Sequence, residues 1–182
     1  MLEEVERLTR LVDNLLTLAR GDSGKAQIVP RSMNMSSLVG TVIDDLRILA
    51  EEKGQELTLK RPPVLNVMAD EDTIRLAVSN VLHNSITYAQ EGGHIEVRLE
   101  TIDDGSAVID IIDDGPGIAP DQREKVFERF YRIDKARSRE AGGAGLGLAI
   151  ARWAVEANNG RIEFIDMEGS GSRCRITLGR GS

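Results

Sequence analysis

The chain has 182 residues, enough for one domain of ordinary size plus an appendage, and its 41% hydrophobic content can bury a real core. Aromatics make up only 3%, so that core is built mainly from Leu, Ile, Val and Ala; a net charge of −7 argues against a nucleic-acid binder with a general basic surface. The single cysteine, Cys174, cannot form an internal disulfide, and no apolar run approaches the ~20 residues that span a bilayer; a reducing, cytoplasmic setting is expected, compatible with a membrane-anchored parent if the chain is a fragment.

Met1–Arg20 reads as one helix: Leu8, Leu11, Leu15 and Leu18 form a stripe, widened by Val5, Val12 and Leu16, with Gly21 as its stop. Such a seam suits a bundle, so the helix is expected to pack on a partner helix rather than on its own domain. Gly21–Gln27 is polar and reads as a linker. Ser36–Lys53 has helical apolar spacing at Leu38, Val39, Val42, Ile43, Leu46 and Leu49, and Gly54 ends it. Short strands are expected at Glu56–Lys60 and Val64–Met68. Asp70 can cap a helix running to about Tyr88, with Glu71 and Asp72 complementing the dipole of its first turn. His94–Thr101 and Ala107–Asp113 alternate like paired strands around the turn Asp103-Asp104-Gly105. Ala119–Gly142 is charged and lacks a sustained period. Gly143–Asn158 returns to a helix, and Arg161–Ile165 and Arg173–Leu178 close the chain as two strands. The fold class is α+β: a two-layer α/β sandwich whose mixed, mostly antiparallel sheet is covered by helices on one face.

Three segments could carry chemistry. Asn80, Asn84 and Tyr88 lie four apart, hence on one helix face. A carboxamide oxygen is a good neutral ligand for Mg²⁺, although in isolation two such residues are more often simple helix hydrogen-bonders. Asp113 ends an apolar strand and is followed by Gly115, Gly117 and Ile118. A buried carboxylate there can accept a hydrogen bond from the exocyclic amine of adenine, where guanine presents a carbonyl, and the glycines let the backbone approach closely. Alone, this stretch reads as an ordinary Asp-Gly turn. Gly143, Gly145 and Gly147, with Leu146 and Leu148, lead into a helix and can offer backbone N–H groups to phosphate. A dinucleotide-binding fingerprint fails on context, because no buried strand precedes Gly142; a Walker-type loop fails because no Gly-Lys-Ser/Thr is present.

In this fixed order, the Asn pair, the DDGPGI turn and the GGAGLGLAI loop resemble the catalytic and ATP-binding domain of sensor histidine kinases. That family shares its nucleotide fold (GHKL, or Bergerat) with DNA gyrase, Hsp90 and MutL, and the resemblance spans Met33 to Leu178. It implies that Asn84 binds the Mg²⁺ bridging the ATP phosphates, with Asn80 in support and Tyr88 on the adenine side. Asp113 would read adenine, with Ile118 as apolar floor. VFERFYRIDKARSR, Val126–Arg139, would be the F box and lid, anchored by Phe127 and Phe130, with Arg132 and Arg137 approaching the phosphates. Residues 1–20 would end the second helix of a dimerisation domain, 21–27 would be linker and 28–182 the catalytic domain. The partners implied are the dimerisation domain bearing the phosphoacceptor histidine, a response-regulator receiver domain, and a second copy joined through the N-terminal helix; no nucleic acid is expected.

There are departures from the family pattern. Thr87 stands where a Lys or Arg is usual, Asn159 replaces a frequent Gly, and Cys174 takes a position usually aromatic. His83 and His94 lack the His-Glu/Asp setting of an acceptor, so the acceptor helix is expected to be absent from this chain. Related ATPases carry a Glu four residues before the metal-binding Asn to activate water. Here Asn80 stands there, which favours a protein-histidine kinase over a hydrolase. The alternatives are an anti-sigma-factor-type serine kinase and a non-catalytic nucleotide-sensing module.

Overall fold

The computed structural model describes residues 2–24, 26–103, 105–133, 144–167 and 169–179, with side chains in the first helix described at position 9 and from 11 onward. In chain order the elements are α1 (Leu2–Asp22), β1 (Arg31–Asn34), α2 (Met35–Glu52), β2 (Glu56–Lys60), β3 (Asn66–Ala69) and α3 (Glu71–Tyr88). They continue with β4 (His94–Thr101), β5 (Ala107–Asp113), two 3₁₀ turns (Pro120–Gln122 and Lys125–Phe127), α4 (Gly147–Ala157), β6 (Arg161–Phe164) and β7 (Ser172–Leu178).

Five strands form one sheet in the order β2-β4-β5-β7-β6, with β2 parallel to β4 and every other pair antiparallel. Strand alternation sorts the residues. Ile95, Val97 and Leu99 on β4, Ile109 and Ile111 on β5, and Cys174 and Ile176 on β7 enter one core with Val39, Ile43, Ile74, Val78, Leu82, Ala151 and Val155 from α2, α3 and α4. The opposite face is charged. Its centre is Asp110, fully buried beneath Arg173 and Arg175, both of which donate to its carboxylate. Next to it Glu96 accepts from Arg98 and from Lys60.

Both ends of α3 are pinned, which matters for the site. At its start Asp70 caps the helix by accepting from Thr73 N at 3.0 Å. Asn158 at the end of α4 accepts from Asp70 N at 2.7 Å and donates to Thr73 Oγ1 at 2.7 Å. At its end, Lys53 Nζ donates to the carbonyls of Ile86 and Thr87, and Gln55 Nε2 donates to those of Ile86 and Gln90. A helix C-terminus exposes such carbonyls and favours cations.

One strand was missed and four expectations need correction. β1 was not foreseen, because Arg-Ser-Met-Asn has no apolar alternation; it exists by antiparallel pairing with β3, and its last residue, Asn34, caps α2 by accepting from Ser37 N. The strand expected at Val64–Met68 begins at Asn66, and of the helix expected from Gly143 the described residues 144–146 are not helical, α4 beginning at Gly147. Gly21 does not stop α1, which runs to Asp22; the Gly24 backbone turns left-handed at φ 63° instead. Finally, α1 does not wholly face away from its own domain. Leu18 is 2% exposed against Leu146 and Ile150, and Arg129 makes two hydrogen bonds to Asp22, at 2.6 and 2.7 Å. A methyl group built on Gly21 would overlap the Trp153 indole, so the glycine permits the close approach. Val12, Leu15 and Leu16 on the same helix stay exposed.

Candidate functional site

Asp113 is the last residue of β5, and the pleat turns its side chain toward α3. It is 4% exposed. Oδ2 accepts from Ser85 Oγ at 2.9 Å and from Ser172 Oγ at 2.7 Å, and Oδ1 accepts from Gly115 N at 3.0 Å. The register places Ser172 directly opposite Asp113 on β7. Gly115 is required here, since a Cβ would sit 2.8 Å from Asp113 Oδ1 and 2.9 Å from the Tyr88 carbonyl. Gly117 adopts φ 76°, and a Cβ there would sit 2.8 Å from the Gly171 carbonyl oxygen. Ile118 is partly buried against the core. The next carboxylate, Asp114, accepts from His94 N at 2.8 Å and from Gln90 N at 3.4 Å, so it ties this turn to the loop that follows α3.

α3 brings the two asparagines to the same region. Asn80 Nδ2 donates to Leu76 O at 2.9 Å, and its Oδ1 lies so close to Gly147 that a Cβ there would be 2.9 Å away. Asn84 is half-buried and its carboxamide has no hydrogen-bond partner among the described residues. Tyr88, the last residue of α3, is half-buried beside the Asp113 turn. Gly145 has φ 71°, and its carbonyl accepts from Phe130 N at 2.8 Å. Leu146 is buried, Gly147 opens α4, and Leu148 packs partly on the core. Arg137 and Gly143 lie outside the described residues.

Phe127 behaves as expected of an anchor: it is buried, with its ring centroid 5.5 Å from that of Phe164, and Arg152 stacks over it at 4.4 Å. Phe130 does not. It is 59% exposed at φ 63°, a conformation uncommon for a bulky side chain, so it anchors nothing by burial. Arg132 Nε and Nη2 are buried without a hydrogen-bond partner among the described residues. A guanidinium held this way calls for an anion, and this orphaned pair of donors fits phosphate oxygens. Thr87 Oγ1 donates to His83 O at 2.7 Å and so cannot replace the missing cation.

Ser85, Ser172 and Asp114 were not singled out from the sequence. The signal for Ser172 was the register of β7, which only pairing with β5 fixes; Ser85 follows Asn84 directly and projects from an adjacent part of the helix. Cys174 can be set aside as a nucleophile: burial, with Asp110 and Asp113 nearby, pushes its thiol well above the ordinary value. Among the described residues no group of three or more His, Cys, Asp or Glu could hold a metal ion.

Residues 69–181 match the family model described as Histidine kinase-, DNA gyrase B-, and HSP90-like ATPase. Sensor histidine kinase WalK of Bacillus subtilis is 36% identical over 176 residues, covering 96% of this chain and 29% of its own length. Sensor histidine kinase CusS of Escherichia coli is 36% identical over 181 residues, covering 97% of this chain and 36% of its own length. The chain thus spans about a third of the curated relatives it matches. Full-length ShkA, solved with AMPPNP, superposes with a TM-score of 0.85 at 27% identity, over 99% of this chain and 38% of that one. The mycobacterial sensor histidine kinase MprB gives 0.72 at 31% identity, over 85% of this chain and all of that one. The match runs from the strand before α3 to beyond the last strand of the sheet, and on that ground the chain belongs to the histidine kinase-, DNA gyrase B- and HSP90-like ATPases.

Proposed function

We propose that this chain is the ATP-binding catalytic part of a sensor histidine kinase, moving the γ-phosphoryl group of ATP to a histidine on a dimerisation domain. The names of its relatives support the acceptor, and the AMPPNP bound to ShkA supports the nucleotide. The observation that carries the reading is the Asp113 carboxylate, buried yet with acceptor capacity left on Oδ1. On this reading Oδ1 accepts the adenine amine, and Ile118 and Tyr88 border the base. The loop 144–146 and the start of α4 would offer backbone N–H groups to the phosphates. Arg132 donates to the phosphate oxygens, joined by Arg137 from the lid. Asn84 would hold Mg²⁺, an ion that keeps several waters and is satisfied by one protein amide plus phosphate oxygens. When bound, that ion neutralises charge on the transferring group. Asn80, committed to Leu76 O, cannot take a proton from water at neutral pH, so the γ-phosphate awaits another nucleophile. Positioning and charge stabilisation then do most of the work.

Residues 1–20 belong, on this reading, to a dimerisation helix, 21–27 to a linker and 28–182 to the catalytic domain. The exposed Val12, Leu15 and Leu16 support a further helix partner, and a receiver domain follows as the next acceptor. A second reading, a nucleotide sensor without transfer, is favoured only by Thr87.

The test supplies labelled ATP and Mg²⁺ with a separate phosphoacceptor domain. Slow labelling of that domain is expected, with His83 and His94 unlabelled and phosphate release barely above background. ADP binding without transfer to any such domain would favour the sensor. Robust phosphate release that Asn84→Ala abolishes would make the protein a hydrolase.

A further inference from the structure

Two hydroxyls converge on one oxygen of Asp113, and this asymmetry constrains what the site can recognise. A carboxylate offers about four acceptor positions, two on each oxygen. Ser85 and Ser172 occupy both positions of Oδ2, and the Gly115 N–H takes one position of Oδ1. One position remains, on Oδ1. Each serine has a single proton, and both protons are committed to Asp113. The oxygens of Ser85, Ser172 and Asp113 therefore present only lone pairs to anything that enters this corner.

Ser85 is 3% exposed on α3, a helix pinned at both ends, so its oxygen is fixed in space. Ser172 is less buried and sits at the start of an edge-proximal strand. The terminal torsion of an Asp side chain is broad. Without a second fixed donor, the carboxylate can turn and spread its free acceptor position over a range of directions.

We propose that Ser85 is a positioning residue for base selection. It acts through Asp113, fixing Oδ2 so that Oδ1 alone meets the base edge, in a direction that requires a donor. Adenine supplies that donor through its amine; guanine places a carbonyl oxygen there and meets lone pair with lone pair. The inference rests on the adenine-nucleotide reading above and adds a second residue to it, one that never touches the base.

The test titrates ADP and GDP into the parent protein, Ser85→Ala, Ser85→Thr, Asp113→Asn and the double variant Ser85→Ala/Asp113→Asn, each checked for folding by circular dichroism. Ser85→Ala should weaken ADP by roughly 3- to 10-fold, the scale of one ordinary hydrogen bond, and should lower the ADP-to-GDP preference. Ser85→Thr, which keeps the hydroxyl, should restore that preference. In the Asp113→Asn background, Ser85→Ala should change the preference no further, because the two residues act as one unit. An unchanged ADP-to-GDP preference in Ser85→Ala overturns the proposal, as does an equal loss for both nucleotides or a full effect persisting without Asp113. Failure of the parent to bind ADP overturns the nucleotide reading itself, and the proposal with it.

Discussion

At the scale of single residues, the proposed function divides base recognition from phosphate recognition. Asp113 faces the turn after β5, whereas Asn84 and Arg132 lie where no protein partner satisfies them among the described residues. Asp113→Asn replaces an acceptor by a group that can turn a donor toward the base. Loss of a charge-assisted hydrogen bond costs about 1.5–3 kcal/mol, and isothermal titration should show ADP binding weakened roughly 10- to 100-fold. Asn84→Ala should instead weaken Mg²⁺-ATP while leaving adenosine affinity nearly unchanged; equal losses for both would mean that Asn84 shapes the pocket. The placement of these residues on one helix and at one strand end was legible beforehand, because Asn80, Asn84 and Asp113 are marked by helical spacing, a strand end and the following glycines. Ser85 and Ser172 were not, since a serine carries no pattern of its own and becomes informative only when pairing brings it to a carboxylate. The exposed Phe130 was also illegible: an aromatic residue in an F-x-x-F spacing reads as core, and only its left-handed backbone turns it out.

At the scale of elements, sequence periodicity located well the strand that carries Asp113 and two of its neighbours in the sheet. Glu56–Lys60, His94–Thr101 and Ala107–Asp113 form as their alternation requires. It located the end of α1 poorly, because Gly21 has two opposed uses. A glycine inside a helix costs about 1 kcal/mol relative to alanine, so Gly21→Ala should strengthen an isolated α1. In the folded protein the added methyl group meets the Trp153 indole. The expected outcome is therefore the reverse: weaker docking, measured as faster amide hydrogen exchange in the last turns of α1. Slower exchange there would show that the helix docks without needing the glycine. Asn159 is a smaller case of the same logic. It holds φ 56° after α4, a left-handed conformation that asparagine tolerates better than most residues.

At the scale of the whole molecule, two faces of one sheet solve different problems. The inner face buries aliphatic side chains under three helices, and the outer face is held by ions. Burial opposes ionisation of Asp110, yet Arg175 and Arg173 outweigh it and hold its carboxyl below the ordinary value. The bond from Arg98, opposed by burial and helped by Lys60, takes Glu96 down to about 2. A carboxylate depressed in the folded state contributes stability that is fully present above its unfolded value and is lost as pH falls through its folded value. Stability should thus hold at neutral pH and decline as pH drops from about 4 toward 2, as these carboxylates protonate. Asp110→Ala should remove about 3 kcal/mol at neutral pH by leaving two arginines without a partner, and should flatten the acid limb of a urea-melt series. An acid limb identical to the parent's would mean that the outer network contributes nothing. This ionic layer was hidden in the sequence, because a charged residue in a strand reads as solvent-facing, and only the neighbours on β7 close over Asp110.

The chain contains one tryptophan, and α1 rests on it. Trp153 belongs to α4, whose first turn leaves the glycine loop through Leu146, so its indole stands between the helix that would meet other domains and the loop that would grip phosphate. The protein therefore contains its own optical probe of communication between the two. Release of α1 wets the ring and should move its emission to longer wavelength, with no label attached. A nucleotide titration followed at that wavelength would read helix release and phosphate occupancy from one chromophore, in real time and in the unmodified protein.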